Sequence, residues 1–165
     1  MSAPFEDKDK YIHRDLSWLL FNERVLEESV DLENPLLERA RFIAICMNNL
    51  DEFLMVRYAN IKRLLDAQYN RQDVYGYYPQ DLFRQVREAA SNLVQKSYET
   101  YEKDIKPGLG QKKIVLKKMG ELNTDQQKFV KRFFDSTLYP IITPMAIDQG
   151  HPFPVLASKT LAFAV

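Results

Sequence analysis

The chain has 165 residues and a formal net charge of +0, with 23 Lys+Arg against 23 Asp+Glu. That balance excludes a generic nucleic-acid or anionic-membrane binder, which needs a basic excess. Hydrophobic residues at 45% suffice for a core and exclude wholesale disorder, while 5 glycines are too few for a Gly-rich β-barrel or a dinucleotide fingerprint.

A single cysteine, Cys46, allows no internal disulfide and no cysteine-rich metal site. Residues 1–10 are polar, lack the apolar stretch of a secretory signal, and read as a disordered leader. No run of about 18 apolar residues is present, so no transmembrane segment is expected. The expectation is a soluble, cytoplasmic chain.

A first helix fits residues 15 to about 31. Leu16, Leu19, Leu20, Glu23, Leu26 and Val30 fall on one side, and Trp18, Phe21 and Val25 on a second. Asn34 as N-cap with Pro35 at the first helical position opens a long helix reaching about residue 69. Its stripe is Leu36, Ile43, Cys46, Met47, Leu50, Leu54, Ile61, Leu64 and Leu65, with Asn48-Asn49 as a soft point. Residues 70–78 read as a loop turning at Gly76. Pro79 opens a third helix on Leu82, Val86, Ala89, Ala90, Leu93 and Ser97, ending near Asp104, before Pro107 and Gly108.

The texture then changes. Residues 113–116 are a strand candidate. Asn123-Thr124 carries an N-cap signal, with capping-box spacing from Thr124 to Gln127. Phe129, Val130, Phe133, Phe134 and Leu138 follow at helical spacing. Pro140, Pro144, Pro152 and Pro154 forbid regular helix beyond that. The fold class is therefore mainly α: an antiparallel helical bundle over 11–106, followed by the opening of an α+β domain over 107–165. Residues 159–165 read as a strand just entered, as in the front piece of a longer protein.

Several residues break the pattern. Arg39 and Arg57, about five turns apart, sit where apolar residues belong, as does Glu23. Two readings are open: a Glu23–arginine ion-pair network tying helices together, or an arginine facing an anion. The tendency of buried charges to pair favours the first. Asn48-Asn49-Leu50-Asp51-Glu52-Phe53 places two poor helix formers inside a helix. Asn49 lies on the flank of the stripe with Phe42, Phe53, Val56 and Asn60. Its amide offers a donor and an acceptor, which suits the edge of adenine, the alternative being a break between two shorter helices. Asp51 and Glu52 diverge by about 100° on a helix and lack a third ligand, so no metal site is assigned to them.

His13 reads as solvated, and His151 as part of the rigid His151-Pro152-Phe153-Pro154. Neither has a Ser or Cys partner at catalytic spacing. Cys46 reads as a small core hydrophobe. Lys112, Lys113, Lys117 and Lys118 suit a charged strand edge better than a phosphate site. For Tyr75, Tyr77 and Tyr78, loop packing is favoured over stacking on a nucleobase.

The order of blocks is more specific than any one of them. It begins with Leu16-Ser17-Trp18-Leu19-Leu20-Phe21-Asn22-Glu23-Arg24-Val25-Leu26. Asn34-Pro35-Leu36-Leu37-Glu38-Arg39, the Asn48 to Phe53 hexapeptide, Ile141-Ile142-Thr143-Pro144 and His151-Pro152-Phe153-Pro154 follow. Together they resemble the amino-terminal part of the long bacterial polyphosphate kinases. The resemblance implies an N-terminal helical domain, then the start of a head domain contributing to dimerisation. It implies an enzyme that reversibly transfers the terminal phosphate of ATP to polyphosphate, with Mg²⁺, through a phosphohistidine. It also implies that Asn49 contacts the nucleotide base. By the same resemblance the catalytic histidine and metal ligands lie outside these residues. The segment alone is then expected to be inactive, and the intact protein to act on ATP, ADP and polyphosphate as a homo-oligomer. The alternative is a non-catalytic helical interaction module using the face of Trp18, Phe21 and Val25.

Overall fold

The computed structural model describes residues 11–165; the expected leader at 1–10 lies outside the described residues. The chain divides into two compact units, Met1–Val115 and Leu116–Val165.

The first unit is helical. It contains α1 (Arg14–Glu27), α2 (Leu36–Phe53), α3 (Ala59–Asp66), α4 (Pro79–Thr100) and α5 (Lys106–Gln111). Pairs from α1 and the α2–α3 rod run in opposite senses along the chain: Ser29 with Arg39, Asn22 with Cys46 and Asn49, Trp18 with Phe53, Asp15 with Arg57. The two therefore lie antiparallel, as the sequence implies. The core joins Leu19 and Leu26 of α1, Cys46, Leu50, Phe53 and Ile61 of the rod, and Leu82, Val86, Ala90 and Leu93 of α4. The predicted stripe of α4 is the observed one apart from Ala89, which is only half-buried, and Pro79 occupies the first turn. There its missing N–H is no loss and its fixed φ suits the helix.

Helix α1 departs from expectation. Its buried row is Asp15, Leu19, Asn22 and Leu26, whereas Leu20, Phe21 and Val30 are exposed. Spacings of four, three and four residues keep that row on one face; of its two polar members, Asn22 is hydrogen-bonded to α2 and Asp15 faces the Arg57 guanidinium. Trp18 and Val25 pack against the core edge, and Trp18 stacks on Phe53 at 4.7 Å.

The rod begins one residue later than predicted, with Pro35 as the cap position. It has no break at Asn48-Asn49. Its irregularity is a π turn over Leu54–Tyr58. A π turn holds more residues than an α turn, so it changes which residue next faces inward. Tyr58 takes that place, packed against the core and stacked on Phe83 at 4.7 Å. Arg57, which ideal geometry would align with Arg39, is turned outward.

A second π turn, Tyr101–Ile105, carries the helical path from α4 into α5, so it passes Pro107 and Gly108 instead of ending at Asp104. The expected boundary at 106/107 thus falls inside a continuous helical path. Pro107 sits in the first turn of α5, after the wider turn, where a missing N–H is tolerated. Ile105, the last residue of that π turn, is fully buried. Gly108 meets α2 closely: a Cβ there would lie 3.0 Å from Leu36 Cδ1.

The second unit contains α6 (Thr124–Phe133), a π turn over Phe134–Leu138 and a 3₁₀ turn over Tyr139–Ile141. The capping box is shifted by one residue from the expected pair. Asn123 Oδ1 accepts from Gln126 N at 2.9 Å, and Gln126 Oε1 accepts from Asn123 N at 3.0 Å. No strand is present among the described residues. Residues 113–116 lack a ladder partner, without which a strand has no hydrogen bonds to make. Lys113 adopts φ 64° at the start of that segment.

Candidate functional site

Asn49 lies in α2, half-buried, on the side of the rod that meets α1. Its Nδ2 donates to Asn22 Oδ1 at 3.1 Å. Asn22 has no exposed surface, and its own Nδ2 donates to the Cys46 carbonyl at 2.9 Å. The Cys46 thiol closes the set by donating to the Asn22 carbonyl at 3.5 Å. A buried amide costs free energy unless bonded, and here each buried polar side-chain atom has a partner. The two helices are thereby cross-linked at one register.

Asn49 makes no other side-chain hydrogen bond among the described residues. Since among the described residues no buried side-chain polar atom is left without a partner, its carbonyl oxygen is not sealed off by them. The sequence pointed to Asn49 but missed Asn22. The available signal was a lone amide in the Asp15, Leu19, Asn22, Leu26 row, hidden because Leu16 and Leu20 also fit a helical stripe.

Cys46 is fully buried, as its place on the stripe implies, and burial pushes its thiol above the ordinary range, partly offset by Ser97. A buried thiol held protonated is a poor nucleophile. A thiol-specific disulfide reagent at pH 8 is expected to leave Cys46 unmodified in the folded chain and to titrate it fully in denaturant. Rapid native labelling would contradict this burial.

His13, read as solvated, is instead 4% exposed and caps α1. Its Nδ1 accepts from Asp15 N at 3.1 Å, and its Nε2 lies 3.0 Å from Asp73 Oδ2. Those contacts require the Nε2–H form. Tyr75 and Tyr77 pack edge-on against the ring, at 4.7 and 5.5 Å. The tyrosines thus belong to loop packing, as favoured, and both ring nitrogens of His13 are engaged. The partner that buries it lies far along the chain, beyond the reach of local pattern.

The expected Glu23–arginine network is not formed. Glu23 pairs with Lys96 of α4. Arg39 is buried but donates Nε to the Ser29 carbonyl at 2.7 Å, binding the α1–α2 connection. Arg57 Nε lies 3.8 Å from Asp15 Oδ1. Arg39 and Arg57 were aligned on an ideal helix, and the π turn separates their environments. In the second unit, exposed His151 bonds through Nδ1 to Asp148 Oδ1 at 2.9 Å, which holds the Asp148 carboxyl below its usual range.

What the first unit presents, then, is a helical scaffold in which the Asn49 amide is bonded on one side and open on the other. The chain matches the polyphosphate kinase N-terminal domain over residues 11–117 and the polyphosphate kinase middle domain over residues 125–165. It belongs to the polyphosphate kinase family. It is 43% identical over 155 residues to a polyphosphate kinase of Lactiplantibacillus plantarum and 45% identical over 156 residues to one of Halalkalibacterium halodurans. Each match covers 94% of this chain and 22% of the relative, so the chain spans under a quarter of their length. The crystal structure of polyphosphate kinase from Porphyromonas gingivalis is similar at TM-score 0.65 and 29% identity, covering 79% of this chain and 18% of that one.

Among the described residues no helix is long and apolar enough to cross a membrane. Nor do three His, Cys, Asp or Glu side chains gather to hold a metal ion there.

Proposed function

We propose that this chain is the N-terminal part of a polyphosphate kinase that reversibly transfers the terminal phosphate of ATP to polyphosphate through a phosphohistidine. Its own contribution is to contact the base of ATP through Asn49 and to dock against the catalytic domains. The intact protein acts in the cytoplasm as a homo-oligomer, with Mg²⁺ accompanying the nucleotide. The observation that carries the reading is the Asn49 amide, braced on one side by Asn22 and open on the other. A donor and an acceptor side by side match the adenine edge.

The family resemblance, not the geometry, puts the attacking histidine of the phosphoryl transfer outside this segment, and His13 does not suit that role. Both ring nitrogens of His13 are bonded and its ring is buried. The chain's residues bind and orient; the attacking imidazole belongs to other domains of the intact enzyme.

In the intact gene product, Asn49→Ala is expected to raise KM for ATP about tenfold while kcat changes far less, because a base contact is made equally in ground and transition states. An unaltered KM would remove Asn49 from the nucleotide site. Incorporation of the ATP γ-phosphate into polyphosphate by the intact protein separates this reading from a purely non-catalytic interaction module.

A further inference from the structure

We propose that Asn22 is a positioning residue that fixes the direction of the Asn49 amide and so makes the site prefer adenine to guanine. This rests on the reading of Asn49 as the base contact.

The direction originates in the backbone. The Cys46 carbonyl can only accept, and it lies 2.9 Å from Asn22 Nδ2. Turning the Asn22 amide over would set its oxygen against that carbonyl, at a site with no exposed surface where water could intervene. Asn22 Oδ1 must therefore face Asn49, and it can only accept. Asn49 is then obliged to present an N–H, which it does at 3.1 Å. Turning Asn49 over would again oppose two oxygens. A fixed main-chain carbonyl thus dictates, through two amides, which atom of Asn49 points where.

The remainder of the Asn49 amide is one N–H and Oδ1, with no partner among the described residues. On one edge adenine offers a donor at N6 beside an acceptor at N7, whereas guanine offers two acceptors, O6 and N7. An amide with one N–H already committed cannot serve two acceptors. On the pairing edge, adenine and guanine present donor and acceptor in opposite order. A freely turning amide could satisfy either base; a locked one satisfies one order only. Asn22 touches no base in this scheme and acts only through Asn49.

The test uses the intact enzyme and initial rates of polyphosphate synthesis with ATP and with GTP. In Asn22→Leu, the ATP-to-GTP ratio of kcat/KM is expected to fall about tenfold, the discrimination of one bidentate base contact. KM for ATP rises and kcat moves less. A variant that merely folds poorly loses active enzyme for both nucleotides alike and leaves the ratio unchanged. The double variant Asn22→Leu/Asn49→Ala is expected to show the same ratio as Asn49→Ala alone, because Asn22 acts through Asn49.

Should Asn22→Leu not fold, Asn22→Ser carries the same expectation. Its hydroxyl stops short of both the Cys46 carbonyl and Asn49, so it frees the Asn49 amide without adding apolar bulk. A wild-type ratio near one, or a ratio unchanged in the Asn22 variants while Asn49→Ala lowers it, overturns the positioning role and leaves the base contact standing. If Asn49→Ala changes neither KM for ATP nor the ratio, the base contact itself is wrong.

Discussion

His13→Ala is expected to lower the melting temperature of the chain by about 10 °C, a loss of about 2–3 kcal/mol at roughly 4 °C per kcal/mol for a unit of this size. Three interactions disappear together. The helix cap at Asp15 N is worth about 1 kcal/mol. The hydrogen bond to the Asp73 carboxylate adds about 1.5 kcal/mol, the low end for a charged partner because Asp73 is partly exposed. The edge-on contacts with Tyr75 and Tyr77 supply the rest. Asp73→Ala should destabilise as well, since Asp73 Oδ1 also accepts from the N–H groups of Tyr75 and Tyr77, each at 2.9 Å. The two substitutions together should cost less than their sum, because they share one bond. Additive losses, or a melting temperature unmoved by His13→Ala, would show that the clasp contributes nothing.

Ile105→Ala is expected to cost about 3 kcal/mol, within the range of about 2–5 kcal/mol for emptying a buried aliphatic site. Ile105 is the fully buried residue of the π turn that leads the helix past Pro107. Its burial is what anchors the path from α4 into α5. The substitution should therefore also weaken amide protection across Lys106–Gln111 more than across Pro79–Thr100. Tyr98→Ala, on an exposed part of α4, should change stability by less than about 0.5 kcal/mol. Equal losses at the two positions would refute the special place of Ile105.

The parts of the fold legible in the sequence are those where local and tertiary demands agree. Helix α4 was readable because Pro79 marks its start and small or apolar residues recur at helical spacing, with Ser97 bonded within the helix to the Leu93 carbonyl. The Gly76 turn was readable because its φ of 86° favours glycine. Helix α1 was misread because Asp15 and Asn22 are buried with partners contributed by other segments, while Leu20 and Phe21 are left outside. No window of sequence carries that information. The π turns were not foreseen because they arise from fitting Tyr58 and Ile105 into a core assembled from several helices. At the site, Asn49 stood out as a poor helix former within a helix, but its direction was invisible, since it descends from a carbonyl with no signature of its own. Arg39 illustrates the same limit: its burial was foreseen, yet its partner is a backbone carbonyl, and side-chain pairing rules do not count those.

The tether at Asp73 bears on where this sequence can tolerate changes of length. The connection between α3 and α4 is pinned near its middle, so it behaves as two short spans instead of one long one. Lengthening an exposed span costs little closure entropy, and residues added between Asn70 and Gln72 fall in such a span, past the backbone bonds of Gln68 and Tyr69 to α3. The other span is a closed ring: Asp73 N donates to the Tyr77 carbonyl at 3.0 Å, while Tyr77 N returns to Asp73 Oδ1. One extra residue there would open the ring and pull both tyrosines off His13. Insertions between the two helices therefore belong before Asp73 and not after it.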